Sequence, residues 1–190
     1  MSADFHAARL NMVESQVRTQ DVTDVAIHDA MRVIPRETLV PASKAYAAYA
    51  DTEVEHAPGR YLLKPRDVSK LLQYLKPQPF ERALAIAAPY AAAVLEHMGL
   101  NVTRHDGEDL KTLPAGQFDL IICEGAVSEA PKAWTDALAS GGRLGVIERD
   151  GVDGEAVIYL RAGDGVGRRT VFDAMPPVMP GFEREARFAF

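Results

Sequence analysis

Residues Glu81 to Leu100 read ERALAIAAPYAAAVLEHMGL, which predicts an apolar strand, a tight turn and an alanine-rich helix. A strand that leads into a helix through a glycine-rich turn is the usual cradle for a nucleotide or an adenosyl cofactor, because only glycine lets the backbone approach the ligand closely. In this chain the turn from Ala87 to Tyr90 contains no glycine. The stretch therefore predicts an α/β unit whose turn departs from the usual cofactor motif.

Strands and helices alternate around this stretch. The predicted strands cover residues 83–87, 101–105, 118–123 and 143–148. The predicted helices between them cover residues 91–98 and 132–138, the second ended by Gly141 and Gly142. The LIIC run of the third strand is continuously apolar, as in parallel strands that are covered on both faces. This alternation predicts a doubly wound α/β sheet.

The two ends of the chain have other patterns. Apolar residues at helical spacing predict three N-terminal helices, with Thr23 as the cap of the second and Pro65 in the first turn of the third. Near the C-terminus, AVIYLR and RRTVFDA on either side of Gly163 to Gly165 predict an antiparallel hairpin. We expect one domain over residues 1–190, with a helical cap and substrate-side loop in 1–76 and the Rossmann-like core in 80–190.

Composition limits the classes of function. The net charge of −6 disfavours nucleic acid or an anionic membrane as the main partner. The single cysteine, Cys123, excludes an internal disulfide and reads as a small buried hydrophobe. The five histidines share no metal-ligand spacing, so no metal site is expected. The N-terminus lacks the apolar core of a signal peptide, which favours a cytoplasmic protein.

Several segments resemble, in order, the protein-L-isoaspartate O-methyltransferase family, and its shorter bacterial members in particular. They are MVESQVR, DAMRVIPRETLVP, YAD at Tyr49 to Asp51, PGRYLLKPRDVSKLL, FDLIICEGAVSEAP, ALASGGRLGVI and RRTVFDAMPPVMPGFEREARFAF. The resemblance implies a Rossmann-like fold that binds S-adenosylmethionine and passes its methyl group to isoaspartyl carboxylates in damaged proteins. A carboxylate is already a nucleophile, so catalysis would depend on positioning and on exclusion of water.

The cofactor loop departs from the family pattern. The family has an acidic residue in the first strand, then Gly-x-Gly-x-Gly and an aromatic residue. Here Ala85 stands for the acid, and Ala87, Ala88 and Pro89 replace a glycine loop about two residues longer, while Tyr90 keeps the aromatic position. Because each alanine adds a β-carbon where the methionyl part should lie, we expect weak or absent cofactor binding.

The chain between the first and third strands is also short. Only 35 positions separate Ile86 from Ile121, whereas each strand–helix–strand unit needs about 30 residues or more. One unit fits where the family has two. Asp106 is the candidate for the acidic residue that holds the ribose hydroxyls, with Glu108 and Asp109 as alternatives, and solvated loop carboxylates are the other interpretation.

The substrate loop is altered as well. The family's Gly-x-Thr-x-Ser-x-Pro arrangement corresponds to residues 59–65, in which Gly59 remains but Tyr61 stands for threonine and Leu63 for serine. Arg60 or Lys64 is a candidate for holding a carboxylate instead, although surface charges beside a turn are common.

Glu124 and Gly125 follow the third predicted strand, where open α/β sheets bind ligands, and are further cofactor-site candidates. Two hypotheses remain: a methyltransferase with a shortened cofactor loop, and a pseudoenzyme scaffold that binds a protein or another copy of itself. An uncovered sheet edge left by the missing unit favours a homodimer.

Overall fold

The computed structural model describes residues 4–184 of the 190-residue chain. The helices are α1 (Phe5–Met12), α2 (Val25–Val33), α3 (Pro65–Leu75), α4 (Pro89–His97) and α5 (Lys132–Asp136). The strands are β1 (Val54–Ala57), β2 (Arg60–Leu62), β3 (Arg82–Ile86), β4 (Asn101–His105), β5 (Phe118–Val127), β6 (Leu138–Asp150), β7 (Asp153–Ala162) and β8 (Gly165–Asp173). No helix within the described residues is long and apolar enough to cross a membrane.

The main sheet has six strands in the order β4-β3-β5-β6-β7-β8. The β3–β4, β3–β5 and β5–β6 pairs are parallel, and β6–β7 and β7–β8 are antiparallel. The predicted fold class is therefore confirmed, including the C-terminal hairpin. Because the chain goes from β3 outward to β4 and then returns to the other side of β3, the sheet has a switch point between β3 and β5.

The two faces of the sheet are covered differently. Ala83 and Ala85 of β3 belong to a core formed with α1 to α4, whereas Leu84 and Ile86 belong to a second core that contains Trp134 of α5. This alternation follows from the two-residue period of a strand. Small side chains on the first face let α4 lie close to the sheet.

Several boundaries differ from the sequence prediction. Asp24 rather than Thr23 caps α2, because its carboxylate accepts the Ala26 N–H at 2.9 Å, while the Thr23 N–H donates to Gln73. The predicted end of α5 at Gly141 and Gly142 is wrong, since β6 begins at Leu138 and includes both glycines.

Two differences concern the ligand edge of the sheet. Helix α4 begins at Pro89, so this residue is the first of the helix rather than part of the turn. Strand β5 continues to Val127, so Glu124 and Gly125 lie inside it and not beyond its end; an irregularity in pairing between Ile122 and Ala126 interrupts its register with β6.

The segment between β4 and β5 contains neither helix nor strand over residues 106–117. The prediction that only one strand–helix–strand unit fits is confirmed. Strand β4 is consequently an edge of the sheet, with Asn101, Thr103 and Arg104 exposed. Strands β1 and β2 form a small antiparallel hairpin within the region predicted as a substrate-side loop.

Candidate functional site at the carboxyl edge of the sheet

The turn between β3 and α4 keeps a backbone shape that usually requires glycine. Ala87 has φ +46°, in the left-handed region that a β-carbon disfavours by about 1 kcal/mol or more. Its N–H donates to the His105 carbonyl at 3.0 Å, which ties the turn to the end of β4. The chain thus retains a sharp left-handed turn at the switch point without glycine, the residue that adopts this conformation at the lowest cost.

The N-terminus of α4 is capped by a residue that is distant in the sequence. Ala88 at the cap position supplies no side-chain acceptor, and Pro89 has no N–H. The next two N–H groups, of Tyr90 and Ala91, both donate to Glu124 Oε2 at 3.0 Å. The Glu124 carboxylate therefore occupies the anion-attracting end of this helix.

Glu124 lies in a fully buried environment. Burial raises the pKa of its carboxyl to about 7, against the opposing effects of the Arg36 charge and of the N–H groups of Ala91 and Tyr90. Burial likewise raises the pKa of the Cys123 thiol well above its usual range, so Cys123 is a buried hydrophobe as predicted and not a thiolate nucleophile.

Arg36 completes the polar group around α4. Its side chain is fully buried; Nε donates to the Ala48 carbonyl and Nη2 to the Leu63 carbonyl, both at 2.8 Å. The guanidinium carbon lies 4.4 Å from the centre of the Tyr90 ring, a cation–π distance. Arg36 was not among the predicted site residues, because an arginine between Pro35 and a helical turn carries no sequence signal of burial.

A C-terminal segment covers the same edge. The Met179 N–H donates to the Ala126 carbonyl at 2.9 Å, and the Phe182 carbonyl accepts the Ser128 N–H at 2.9 Å. A β-carbon added at Gly125 would lie 2.7 Å from Met179 Sδ. Gly125 is therefore small because Met179 packs on it. No local sequence pattern indicates that residues 178–182 reach this place.

The substrate-side loop, residues 59–65, packs against the rest of the chain at Gly59 and at Leu63. Gly59 has φ +68°, and a β-carbon there would lie 2.4 Å from Pro180 Cγ. Leu63 is fully buried, and Tyr61 is partly exposed. Leu63 thus packs in the core and offers no polar group to a ligand.

The two predicted cations of this loop have partners within the chain. Arg60 donates to the Asp106 carbonyl at 2.7 Å and to the Gly107 carbonyl at 2.6 Å. Lys64 Nζ lies 3.7 Å from a Glu53 carboxylate oxygen. Arg60 therefore joins the hairpin to the loop after β4, which brings the predicted residue Asp106 to the site through its backbone.

No cluster of three or more histidine, cysteine, aspartate or glutamate side chains in residues 4–184 is placed to hold a metal ion. The polar groups gathered around the start of α4 are instead the N–H groups of the helix and three side chains, those of Glu124, Arg36 and Tyr90. Such a set suits a carboxylate or another small anion.

The sequence profile described as protein-L-isoaspartate(D-aspartate) O-methyltransferase (PCMT) matches residues 8–106, which is more than half of the chain. The chain belongs to the protein-L-isoaspartate O-methyltransferase family. It is therefore a methyltransferase-like protein of that family, as the resemblance of its segments predicts.

Relatives within the family cover most of the chain. A protein-L-isoaspartate O-methyltransferase from Methylorubrum populi is 34% identical over 165 residues, covering 73% of this chain and 78% of the relative. Another from Roseiflexus castenholzii is 30% identical over 186 residues, covering 83% and 84%.

Solved structures agree with this fold. One is described as a protein-L-isoaspartate O-methyltransferase candidate from Plasmodium falciparum in complex with S-adenosyl-L-homocysteine; it is 17% identical and has a TM-score of 0.71, with 93% of this chain and 99% of that chain covered. A second protein-L-isoaspartate O-methyltransferase structure has a TM-score of 0.71 at 18% identity. At these identities the likeness shows the fold alone.

The turn between β3 and α4 has little free space for the cofactor that the family implies. Ala87, Ala88 and Tyr90 are buried, the Glu124 carboxylate lies on the helix N–H groups, and Met179 packs against Gly125. Protein atoms thus fill the place where the glycine loop of the family would meet its cofactor. These contacts leave no open space for the methionyl part of S-adenosylmethionine unless some of them are displaced.

Proposed function

We propose that this chain carries out its family's reaction, methyl transfer from S-adenosylmethionine to isoaspartyl carboxylates in proteins, with weak cofactor binding. The observation that carries the proposal is the left-handed turn at Ala87, which lies at the carboxyl end of β3 and at the switch point of the sheet. Ligands of open α/β sheets bind at this place.

The weakness follows from three features of the same edge. The Ala87 β-carbon stands in a turn that glycine would leave open, the Glu124 carboxylate holds the helix N–H groups, and Met179 covers Gly125. A cofactor has to displace some of these contacts. We therefore propose that Ala87, Ala88, Pro89, Tyr90, Asp106, Glu124 and Gly125 surround the cofactor position without forming an open pocket for it.

Membership of the family is what favours a protein substrate over a small molecule. The positions proposed for the substrate loop are occupied by Gly59, Tyr61 and Leu63. The buried Leu63 has no hydroxyl where the family has one. The Tyr61 side chain is the exposed polar group left in this triplet. We propose that any isoaspartyl carboxylate is held less firmly than in a family member with both hydroxyls.

A non-catalytic scaffold is the second candidate function. It is favoured by the filled ligand edge, since Glu124 and Met179 provide from within the chain what a ligand would otherwise supply. In that case the protein binds another protein or a second copy of itself. The open edge at β4, where the family unit is missing, is the surface proposed for a homodimer, and a monomer in light scattering contradicts that pairing.

A methyl-transfer assay separates the two candidates. The protein is incubated with an isoaspartyl peptide and labelled S-adenosylmethionine at millimolar concentration, and the matched aspartyl peptide is the control. Slow methylation of the isoaspartyl peptide alone supports the catalytic proposal. No methylation, together with no change of the thermal midpoint on addition of the cofactor, supports the scaffold.

A further inference from the structure

The N-terminus of α4 is occupied by the chain's own carboxylate. Helix N-termini ordinarily take their cap from a neighbouring serine, threonine, aspartate or asparagine. Here the two N–H groups of Tyr90 and Ala91 converge on one oxygen of Glu124, a residue of β5. Tyr90 and Ala91 are the second and third residues of the helix, whose N–H groups a neighbouring cap residue ordinarily satisfies, but here the acceptor comes from a different element.

The site has more hydrogen-bonding capacity than Glu124 uses. Among residues 4–184, Glu124 Oε1, Arg36 Nη1 and the Tyr90 hydroxyl are buried and have no hydrogen-bond partner. Buried polar atoms without partners are rare, because each costs free energy. The Arg36 guanidinium lies over the Tyr90 ring and its charge acts on Glu124, so these unused polar atoms belong to one buried cluster with the residue that caps α4.

The charge and size of the occupant indicate the class of ligand. The nearby cation is the fully buried Arg36 guanidinium, which lies against the Tyr90 ring and attracts the Glu124 charge. Burial outweighs the attraction of the Arg36 charge and of the two N–H groups and raises the pKa of Glu124, so the group that fits here is a carboxyl group that exchanges a proton near neutral pH. The space taken by the Glu124 head group is that of a carboxylate.

We propose that the N-terminus of α4, with Arg36 and Tyr90, is a carboxylate-binding site for which Glu124 is the built-in ligand. An external carboxylate enters when the Glu124 side chain is displaced or removed. This inference rests on the proposed function only for the identity of the ligand that competes with Glu124. That ligand is the carboxylate of the methionyl part of S-adenosylmethionine, which is expected beside Ala87 and Ala88. Glu124 would then keep the cofactor out by taking the place of its carboxylate.

Chemical rescue tests the site without the cofactor. We would compare the wild type, Glu124→Ala and the uncharged, similarly shaped Glu124→Gln by thermal unfolding in sodium formate, with sodium chloride at equal ionic strength as the reference. Formate should raise the midpoint of Glu124→Ala in a saturable way, by about 4 °C at ten times its dissociation constant. The wild type and Glu124→Gln should respond to formate as they do to chloride.

Two results would overturn the proposal: an equal formate shift in all three proteins, or no saturable shift in a folded Glu124→Ala. If Glu124→Ala does not fold, the amide proton signals of Tyr90 and Ala91 in the wild type and in Glu124→Gln decide instead. Both should titrate together with pH in the wild type and not in Glu124→Gln; amides that titrate in neither protein contradict the site. No step uses the cofactor, so failure of the proposed function would leave these outcomes unchanged.

Discussion

The two edges of the parallel sheet stabilise their charges in different ways. At the amino edge, Arg82 pairs with Asp119 at 2.9 Å and Arg143 with Glu81 at 2.6 Å, and all four side chains remain partly exposed. At the carboxyl edge, Glu124 is fully buried and accepts hydrogen bonds from a helix rather than from a cation. The amino edge thus has ordinary surface ion pairs, and the carboxyl edge has a buried polar site.

The carboxyl edge therefore has a feature that stability alone does not explain. Surface ion pairs contribute little to stability and need no further explanation. A buried carboxylate beside unpartnered polar atoms lowers stability unless its contacts compensate, so its presence at the ligand edge indicates a retained or modified site. Substitutions at each edge should distinguish exposed ion pairs from a buried polar site.

Removal of the Glu124 carboxylate should have the largest effect. Glu124→Ala leaves the N–H groups of Tyr90 and Ala91 buried without an acceptor, and leaves a cavity beside Arg36. We expect a loss of about 4 kcal/mol in the free energy of unfolding at pH 6. Glu124→Gln keeps an acceptor and should lose much less, and Arg82→Ala at the amino edge should change nothing measurable in denaturant unfolding. Equal losses for Glu124→Ala and Arg82→Ala would remove the contrast between the edges.

The pH dependence of stability should identify the same carboxyl. Its folded pKa of about 7 lies above the value of 4.5 expected when unfolded. Between these values the folded state holds a proton that the unfolded state has released, so stability is greatest below the unfolded pKa and falls as pH rises through 7. The wild type should lose on the order of 2 kcal/mol between pH 5 and pH 8 from this group.

The matched variant Glu124→Gln separates Glu124 from other groups. Burial also raises the pKa of Asp67, which contributes in the same direction in both proteins. The difference between the unfolding curves of the wild type and Glu124→Gln should therefore contain the Glu124 contribution alone. Parallel curves from pH 5 to pH 8 would mean that the Glu124 carboxyl titrates normally.

Two glycines with similar backbone angles should test the C-terminal cover. Gly59 (φ +68°) lies under Pro180, whereas Gly163 (φ +58°) in the β7–β8 turn has open space around it. Alanine at either position has the same left-handed strain, but only Gly59→Ala also collides with the proline. We expect Gly59→Ala to lower stability by about 2 kcal/mol more than Gly163→Ala. A smaller difference in thermal unfolding would show that Pro180 moves away easily.

The smallest effect is expected at the turn. Ala87→Gly relieves the left-handed strain at φ +46° but adds chain entropy to the unfolded state, so stability should rise by less than about 1 kcal/mol. The variant should bind S-adenosylhomocysteine no better than the wild type in calorimetry, because Glu124 and the short loop remain. Restored binding would show that the alanine alone closes the site.

The sequence predicted the fold well because its signals are local and periodic. The apolar run from Phe118 and the helix from Pro65 were placed correctly at their starts, and the short span after Ile86 correctly predicted the missing unit. The errors were at boundaries: the two glycines at 141–142 resembled a helix end but lie in β6.

The site was predictable only in part. Ala87 and Tyr90 were identified from the strand–turn–helix pattern, and Glu124 from the end predicted for the third strand; they lie together although β5 continues past Glu124. That Glu124 caps α4 depends on a contact across 33 positions or more, which no local pattern reveals. Arg36 and Met179 reach the site through tertiary packing, so neither their residue types nor their sequence neighbours predict this position.

Calorimetric titration of the wild type with S-adenosylhomocysteine at pH 8 tests the central claim most directly. A site closed by Glu124 and Met179 should give no measurable binding, or a dissociation constant above about 1 mM. Ligand at 1 mM would then shift stability by less than about 0.5 kcal/mol. A dissociation constant near 10 μM, which corresponds to about 2.7 kcal/mol of stabilisation at the same concentration, would contradict the claim that the chain's own carboxylate fills the cofactor site.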